Sequence, residues 1–346
     1  MKPAFFAIPG DLSAPTGGYE YARRVLRALP DLTYLPLPRG FPHPTDVDLA
    51  VASARLAAVP PDAVLLIDGL AFGALPVSCL DAVQAPIVAL VHHPLYLETR
   101  VSEELQVALR VSERASLSRA ARVIVTSAST AAFLSQAFGV SGARLSIAEP
   151  GNERAARAPR SGAPPHLLAV GAVIPRKCYD LLVCALAGLD HLAWTLTIAG
   201  ALDRDEQAVR GVREALATHG LTERITLAGA VDPAALDRLY ATADIFVIAS
   251  LHEGYGMAAA EAMAHGLPLV ASTGGALAAT IPDAAAVKFP PGDVQRLSAA
   301  LHLILTDPPR RADCADASWA AGQRLPRWEQ AANCIANVLN SVQRAR

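Results

Sequence analysis

Residues 243 to 268 run without interruption from a short apolar segment through a glycine loop into a helix-forming stretch. The segment from Ala243 to Ser250 is rich in β-branched residues and has the length of a buried strand. Gly254 and Gly256 follow, where a backbone without side chains can turn tightly and come close to a ligand. From Gly256 to His265 the residues favour helix, and Gly266 with Pro268 ends it. The same progression recurs along the chain. Strand-like runs fall at Ala4–Ile8, Leu32–Leu35, Ala63–Ile67, Ile87–Val91, Val123–Thr126 and Leu145–Ala148. Helical patterns at Tyr19–Leu29, Val101–Leu117 and Ser129–Phe138 lie between them. A second series of strands is expected at His166–Val170, Trp194–Ala199, Ile225–Leu227, Ile245–Ala249, Leu267–Ala271 and Ala286–Phe289. Strands alternating with helices predict an α/β fold built on doubly wound, mainly parallel sheets.

The pattern breaks once. Residues 154–165 are polar and Pro-rich with no period, as an interdomain linker with a hinge would be. The chain thus divides into a domain over 1–153, a linker over 154–165 and a domain over 166–325. Residues 326–346 read as a final helix with Trp328, Ile335, Val338 and Leu339 on one face. Within the second domain, Asp232 before Pro233 predicts a capped helix start, as does Asp293.

With 52% hydrophobic and 18% charged residues the chain has material for two filled cores. A net charge of −2 argues against nucleic acid as a partner. Lysine occurs only at Lys2, Lys177 and Lys288, so the other basic residues are arginines, as a compositional bias would give. The five cysteines form no C-x-x-C and read as reduced thiols of a cytoplasmic protein. The N-terminal apolar run is too short for a signal peptide, and no run approaches a membrane span.

In doubly wound sheets ligands gather outside the carboxyl ends of the strands, so the loops after strands carry the candidates. The unpaired amides around Gly256, Met257 and Ala258 open a helix and suit a phosphate. Glu253 and Glu261 flank them, and carboxylates suit hydroxyl groups; sugars on either side of a pyrophosphate, as in a nucleotide sugar, match that layout. The same residues are equally consistent with a solvated loop glutamate and a helix-surface glutamate. The segment opened by Gly171 places Arg176 and Lys177 at the start of a helix near Leu181–Leu186. Cations there oppose the helix dipole, which points to an anion between them. Gly17 and Gly18 open the first helix, where they fit either close approach to an anion or an ordinary turn. His92 and His93 follow the fourth strand; one buried and one surface histidine is as good a reading as a binding role. The apolar loop from Asp68 to Leu75 reads as core packing, with an acceptor wall as its alternative.

Taken together, these pieces resemble the retaining glycosyltransferases of family 4, which have the GT-B fold of two Rossmann-like domains facing across a cleft. The resemblance covers nearly the whole chain. Its most specific part is S-x-x-E-G-x-G-x-x-x-x-E-A-M-A-x-G-x-P, from Ser250 to Pro268, followed by Ser272, Gly274 and Gly275. It implies an N-terminal acceptor domain and a C-terminal domain that binds a nucleoside-diphosphate sugar of UDP or GDP type. Glu261 would bond the ribose, and Glu253 with Gly254 the donor sugar. Arg176, Lys177 and the amides around Gly256, Met257 and Ala258 would hold the pyrophosphate, with Gly171 in the same donor-binding set. Gly17 and Gly18 would approach the phosphates from the other domain, His92 would face the sugar, and Val231 the base. The last helix would cross back onto the first domain. The resemblance also implies transfer of a hexose to an acceptor hydroxyl with retention, by front-face attack, with no metal and no other cofactor. Cys178 and Ala278 stand where the family commonly has Gly and Glu.

A dehydrogenase is disfavoured because the dinucleotide fingerprint is missing after every strand. A phosphorylase would need a lysine for pyridoxal phosphate, and the segment around Lys288 does not suit one. The alternative that stays open is a non-catalytic GT-B protein that binds nucleotide sugar or partners another transferase. Residues 1–150 carry 12 Lys and Arg against 13 Asp and Glu, so strong binding to anionic lipid is not expected, though peripheral contact is compatible.

Overall fold

A computed structural model describes residues 3–97, 102–160 and 162–344. The chain forms two compact units, residues 1–151 with 326–346, and residues 152–325.

The first unit is built on a parallel sheet of six strands: β1 (Ala4–Pro9), β2 (Leu32–Leu37), β3 (Val64–Asp68), β4 (Ile87–Val91), β5 (Arg122–Val125) and β6 (Leu145–Ile147). Their spatial order is β2-β1-β3-β4-β5-β6, so the sheet reverses direction beside β1. Every residue of β3 and β4 is buried, which is why these strands read as unbroken apolar runs rather than as alternation. The connecting helices are α1 (Gly17–Ala28), α2 (Asp46–Ala57), the short α3 (Gly69–Phe72) and α4 (Val77–Asp81), α5 (Glu103–Arg119) and α6 (Ala128–Phe138). α5 starts at a Ser102 cap; Val101, where it was expected to begin, lies outside the described residues. The segment from Asp68 to Leu75 is largely core: Ala71, Phe72 and Leu75 are fully or almost fully buried.

The second unit has β7 (His166–Val170), β8 (Thr195–Ala199), β9 (Ile225–Gly229), β10 (Ile245–Ile248), β11 (Leu269–Ser272) and β12 (Ala286–Phe289), in the order β12-β11-β10-β7-β8-β9. Counted from β7, that is the dinucleotide-fold order 3-2-1-4-5-6 read from the other edge. Its helices are α7 (Tyr179–Ala187), α8 (Glu206–Thr218), α9 (Pro233–Thr242), α10 (Met257–Ala264), α11 (Leu277–Thr280), α12 (Val294–Thr306) and α13 (Pro308–Gly322). Asp232 and Asp293 cap α9 and α12 through their side chains, as their sequence positions predict. The sheet is covered by apolar side chains on both faces, centred on Trp194 and Leu301 on one side and on Phe246 and Met263 on the other. Burying side chains of this size contributes roughly 1.5–3 kcal/mol each.

Residues 154–165 are the segment that the sequence marks as an interdomain linker. They count with the second unit, where Ala158 N donates to His265 O at 2.9 Å and Gly162 N to Asp244 Oδ1 at 2.9 Å. Arg157 also pairs with Asp316, so backbone and side chains here have partners on that unit; Ser161 lies outside the described residues. After Leu325 the chain returns to the first unit as α14 (Trp328–Arg344). Ile335, Val338, Leu339 and Val342 of α14 join the core around Phe6, Ile8 and Tyr21. No helix among the described residues is long and apolar enough to cross a membrane.

Candidate functional site

In the second unit the sheet order reverses between β7 and β10, and the loops that leave these two neighbouring strands carry the charged candidates. The loop after β7 begins at Gly171, whose N–H donates to Ala199 O at 2.9 Å and whose carbonyl accepts from Tyr179 Oη at 3.1 Å. It ends in a single 3₁₀ turn, Pro175–Lys177, before α7. Cys178 joins the two with φ +53° and ψ +42°. This left-handed conformation costs a residue with a side chain about 1 kcal/mol, which explains why glycine suits the position. Burial pushes the Cys178 thiol up to about 11, so it is a packing group rather than a nucleophile.

The loop after β10 answers it. Leu251 N donates to Arg176 O at 2.8 Å, and the Arg176 guanidinium donates to His252 O at 2.5 Å. These bonds bring Glu253 between the two cations. Lys177 Nζ lies 2.7 Å from Glu253 Oε1, and Arg176 Nη1 lies 3.2 Å from Glu253 Oε2. Ser250 Oγ adds a 2.6 Å bond to Oε1. Between Arg176 and Lys177, where the sequence calls for an external anion, the structure supplies an internal one, Glu253. The pair also sits on a 3₁₀ turn ahead of α7 rather than in its first turn, which lessens the dipole conflict. Burial opposes ionisation of Glu253, but Lys177 and Arg176, with the Lys177 and Ser250 hydrogen bonds, outweigh it and hold the carboxyl far below the usual carboxylate range. Glu253 is therefore a permanent anion and no proton acceptor near neutral pH.

A third loop presses on Glu253 from the far side. Ala276 N donates to Glu253 O at 2.8 Å. Gly275 has φ +63°, and a Cβ there would stand 2.4 Å from Glu253 O, so only glycine permits this approach. Ser272 Oγ donates to Ser250 O at 2.5 Å and ties the same loops together.

Gly256 then opens α10 with φ +97°, and among the described residues no side chain caps this end. A Cβ at Gly256 would meet Leu277 at 2.5 Å. The first-turn amides of Met257 and Ala258 thus stand at the positive end of a helix, an arrangement that accepts an anion. Glu261 is half-buried one turn into α10, and its Oε2 accepts from Tyr240 Oη at 2.8 Å. Gly254 lies in the loop between Glu253 and Gly256. Val231 is half-buried in the loop between β9 and α9.

The remaining candidates belong to the first unit. Gly17 and Gly18 start α1, whose cap is Thr16, and Gly18 faces the His92 ring: a Cβ there would sit 3.7 Å from Cδ2. His92 leaves the end of β4 with its ring edge-on to Tyr21, centroids 5.2 Å apart. Its Nε2 is 3.4 Å from Oδ2 of Asp68, a buried carboxylate at the end of β3. The sequence reading missed Asp68 as a partner, although a carboxylate closing an apolar strand at the ligand end of a doubly wound sheet was a usable signal. Glu113 was missed as well. From α5 its carboxylate accepts from Leu95 N at 2.7 Å and Tyr96 N at 3.2 Å, fastening the loop that follows His92. Burial raises the Glu113 carboxyl to about 7 against those two bonds. Among the described residues no three His, Cys, Asp or Glu side chains cluster as a metal site.

The two Rossmann-like units define the fold as the GT-B type, which sequence and structural similarity extend. Residues 152–319 match the family model described as glycosyl transferases group 1. The chain is 33% identical over 233 residues to a glycogen synthase of Mycobacterium tuberculosis, covering 64% of this chain and 54% of that protein. It spans about half the length of the curated relatives it matches. The fold is similar to that of a sucrose-phosphate synthase from Thermosynechococcus elongatus, with a TM-score of 0.82 at 21% identity over 99% of this chain and 100% of that one. Anabaena HepE in complex with UDP-glucose is similar with a TM-score of 0.79 at 17% identity, again over 99% and 100%.

Proposed function

We propose that the protein is a retaining glycosyltransferase of the family 4 type, moving a hexose from a nucleoside-diphosphate sugar to an acceptor hydroxyl. The observation that carries this reading is the convergence of Arg176, Lys177 and the α10 N-terminus on the strand ends where the sheet order reverses. Support comes from the match of this same unit to group 1 glycosyl transferases and from a similar fold in a protein that holds UDP-glucose.

Breaking the anomeric C–O bond leaves the electron pair on the departing diphosphate and oxocarbenium character on the sugar. Arg176, Lys177 and the α10 amides stabilise the diphosphate as its charge grows, in the role that a metal plays elsewhere. Glu253, fixed as an anion, keeps both cations in place and lies on the donor side of the site. The acceptor oxygen forms its bond on the face that the leaving group vacates, and its proton passes to the departing phosphate oxygen. Glu261 bonds the ribose and Val231 lies by the base, while His92, Gly17 and Gly18 are the first unit's own candidates for a role in the reaction.

The test is turnover with UDP-, GDP- and ADP-hexoses and a mixture of hydroxyl acceptors in the presence of EDTA, with the product anomer read by NMR. Release of the nucleoside diphosphate with a product anomer matching the donor supports the proposal. An inverted anomer rejects retention, loss of turnover in EDTA rejects metal independence, and no release from any donor rejects the transferase reading.

A further inference from the structure

The carboxylate of Glu261 is braced from the protein interior. Tyr240, near the end of α9, is 2% exposed, and its hydroxyl lies 2.8 Å from Glu261 Oε2 and 3.2 Å from Ala258 O. A phenol has one proton, and the shorter bond, to an ionised acceptor, is the stronger of the two. The ring cannot swing away. It stacks on His265 with centroids 5.1 Å apart and lies 5.8 Å from the Phe246 ring. His265 is itself anchored, with Nδ1 2.9 Å from Glu261 O and Nε2 3.2 Å from Asp237 Oδ1. Burial, and then the adjacent carboxylate, push the phenol well above its ordinary value, so it remains a donor throughout the physiological range. A phenylalanine would fill the same space in this core. What the hydroxyl adds is a direction for the Glu261 carboxylate.

We infer that Tyr240 is a positioning residue for Glu261: by holding Oε2 it fixes, before a ligand arrives, the carboxylate that accepts from the ribose. This rests on the reading of the second unit as a nucleoside-diphosphate site. A glutamate has three rotatable bonds, and fixing them in advance removes an ordering cost from binding. Tyr240 touches no reacting atom, so its effect belongs in affinity and in ribose discrimination, not in the bond-breaking step.

The test is calorimetric titration of wild type and Tyr240→Phe with whichever of UDP, GDP, ADP and CDP binds the wild type, and with its 2′-deoxy form. The Kd of the variant for the ribonucleotide is expected to rise about ten-fold, the loss of one hydrogen bond to a charged group. Its Kd for the 2′-deoxy nucleotide is expected to match that of the wild type, and kcat at saturating donor to stay unchanged. In a Glu261→Gln background the tyrosine and phenylalanine forms are expected to bind alike. Equal weakening toward both nucleotides assigns Tyr240 a purely structural role and overturns the inference, and so does an unchanged Kd for both. Wild type that binds none of the four nucleotides fails the donor-site reading itself, a result distinct from a variant that binds without discrimination.

Discussion

Lys177 Nζ lies 2.7 Å from Glu253 Oε1 in a pair whose side chains are only 14% and 11% exposed. A buried carboxylate that loses one partner keeps most of its desolvation penalty. Lys177→Met is therefore expected to destabilise the protein by about 3 kcal/mol, the remaining Arg176 and Ser250 bonds limiting the loss. Urea unfolding checks this; a change below ~0.5 kcal/mol would mean that the pair is no stronger than an exposed one.

Glu253 also sets the response to acid. Its folded carboxyl lies far below the ordinary 4.5, so the unfolded chain binds the extra proton. The stability it contributes is complete above 4.5 and falls as pH drops below that value. Glu253→Gln is expected to flatten this part of the stability profile and to lower kcat. A variant with the wild-type slope below 4.5 would contradict the assignment.

Glu113 acts with the opposite sign. Its folded carboxyl stands at about 7 against 4.5, so the folded protein holds the extra proton between these values. Stability is then highest below 4.5 and declines by about 3 kcal/mol as pH rises through 7. In Glu113→Gln this decline is expected to disappear, and unfolding curves between pH 4.5 and 8 measure it.

Asp68 reaches His92 at 3.4 Å and also accepts from Leu70 N at 2.9 Å. Asp68→Asn keeps the second contact in reach and weakens the first. The expected outcome is a lower kcat, by about ten-fold or more, with nucleotide Kd unchanged. A change in Kd alone would place Asp68 outside the His92 function.

The strands were legible in the sequence because buried parallel strands are short, apolar and bounded by turns, and each of the twelve expected runs overlaps a strand. Helices α2, α8 and α13, and the short α3, α4 and α11, are not among the helices expected from the sequence. In α13 alanines and a glycine blur the apolar face, and in α2 the exposed Val47 and Val51 interrupt it. For the site, spacing brought out Glu253, Glu261, Arg176 and Lys177 but gave no sign that one carboxylate joins both cations. That contact depends on β7 and β10 being neighbours, although 74 residues lie between the end of the first at Val170 and the start of the second at Ile245. The Tyr240–Glu261 bond likewise joins α9 to α10 across 21 positions of sequence. Pairings made by topology leave no local pattern to read.

We propose that the second unit binds a nucleoside diphosphate through Arg176, Lys177, Glu261 and the α10 N-terminus. Thermal unfolding of the protein with UDP, GDP, ADP, CDP and TDP reads this binding out, because a ligand that binds only the folded state at a hundred times its Kd adds about 2.7 kcal/mol. The expected result is a clear rise in midpoint with one base, reduced in Glu261→Ala. Identical midpoints with and without all five nucleotides would contradict the claim.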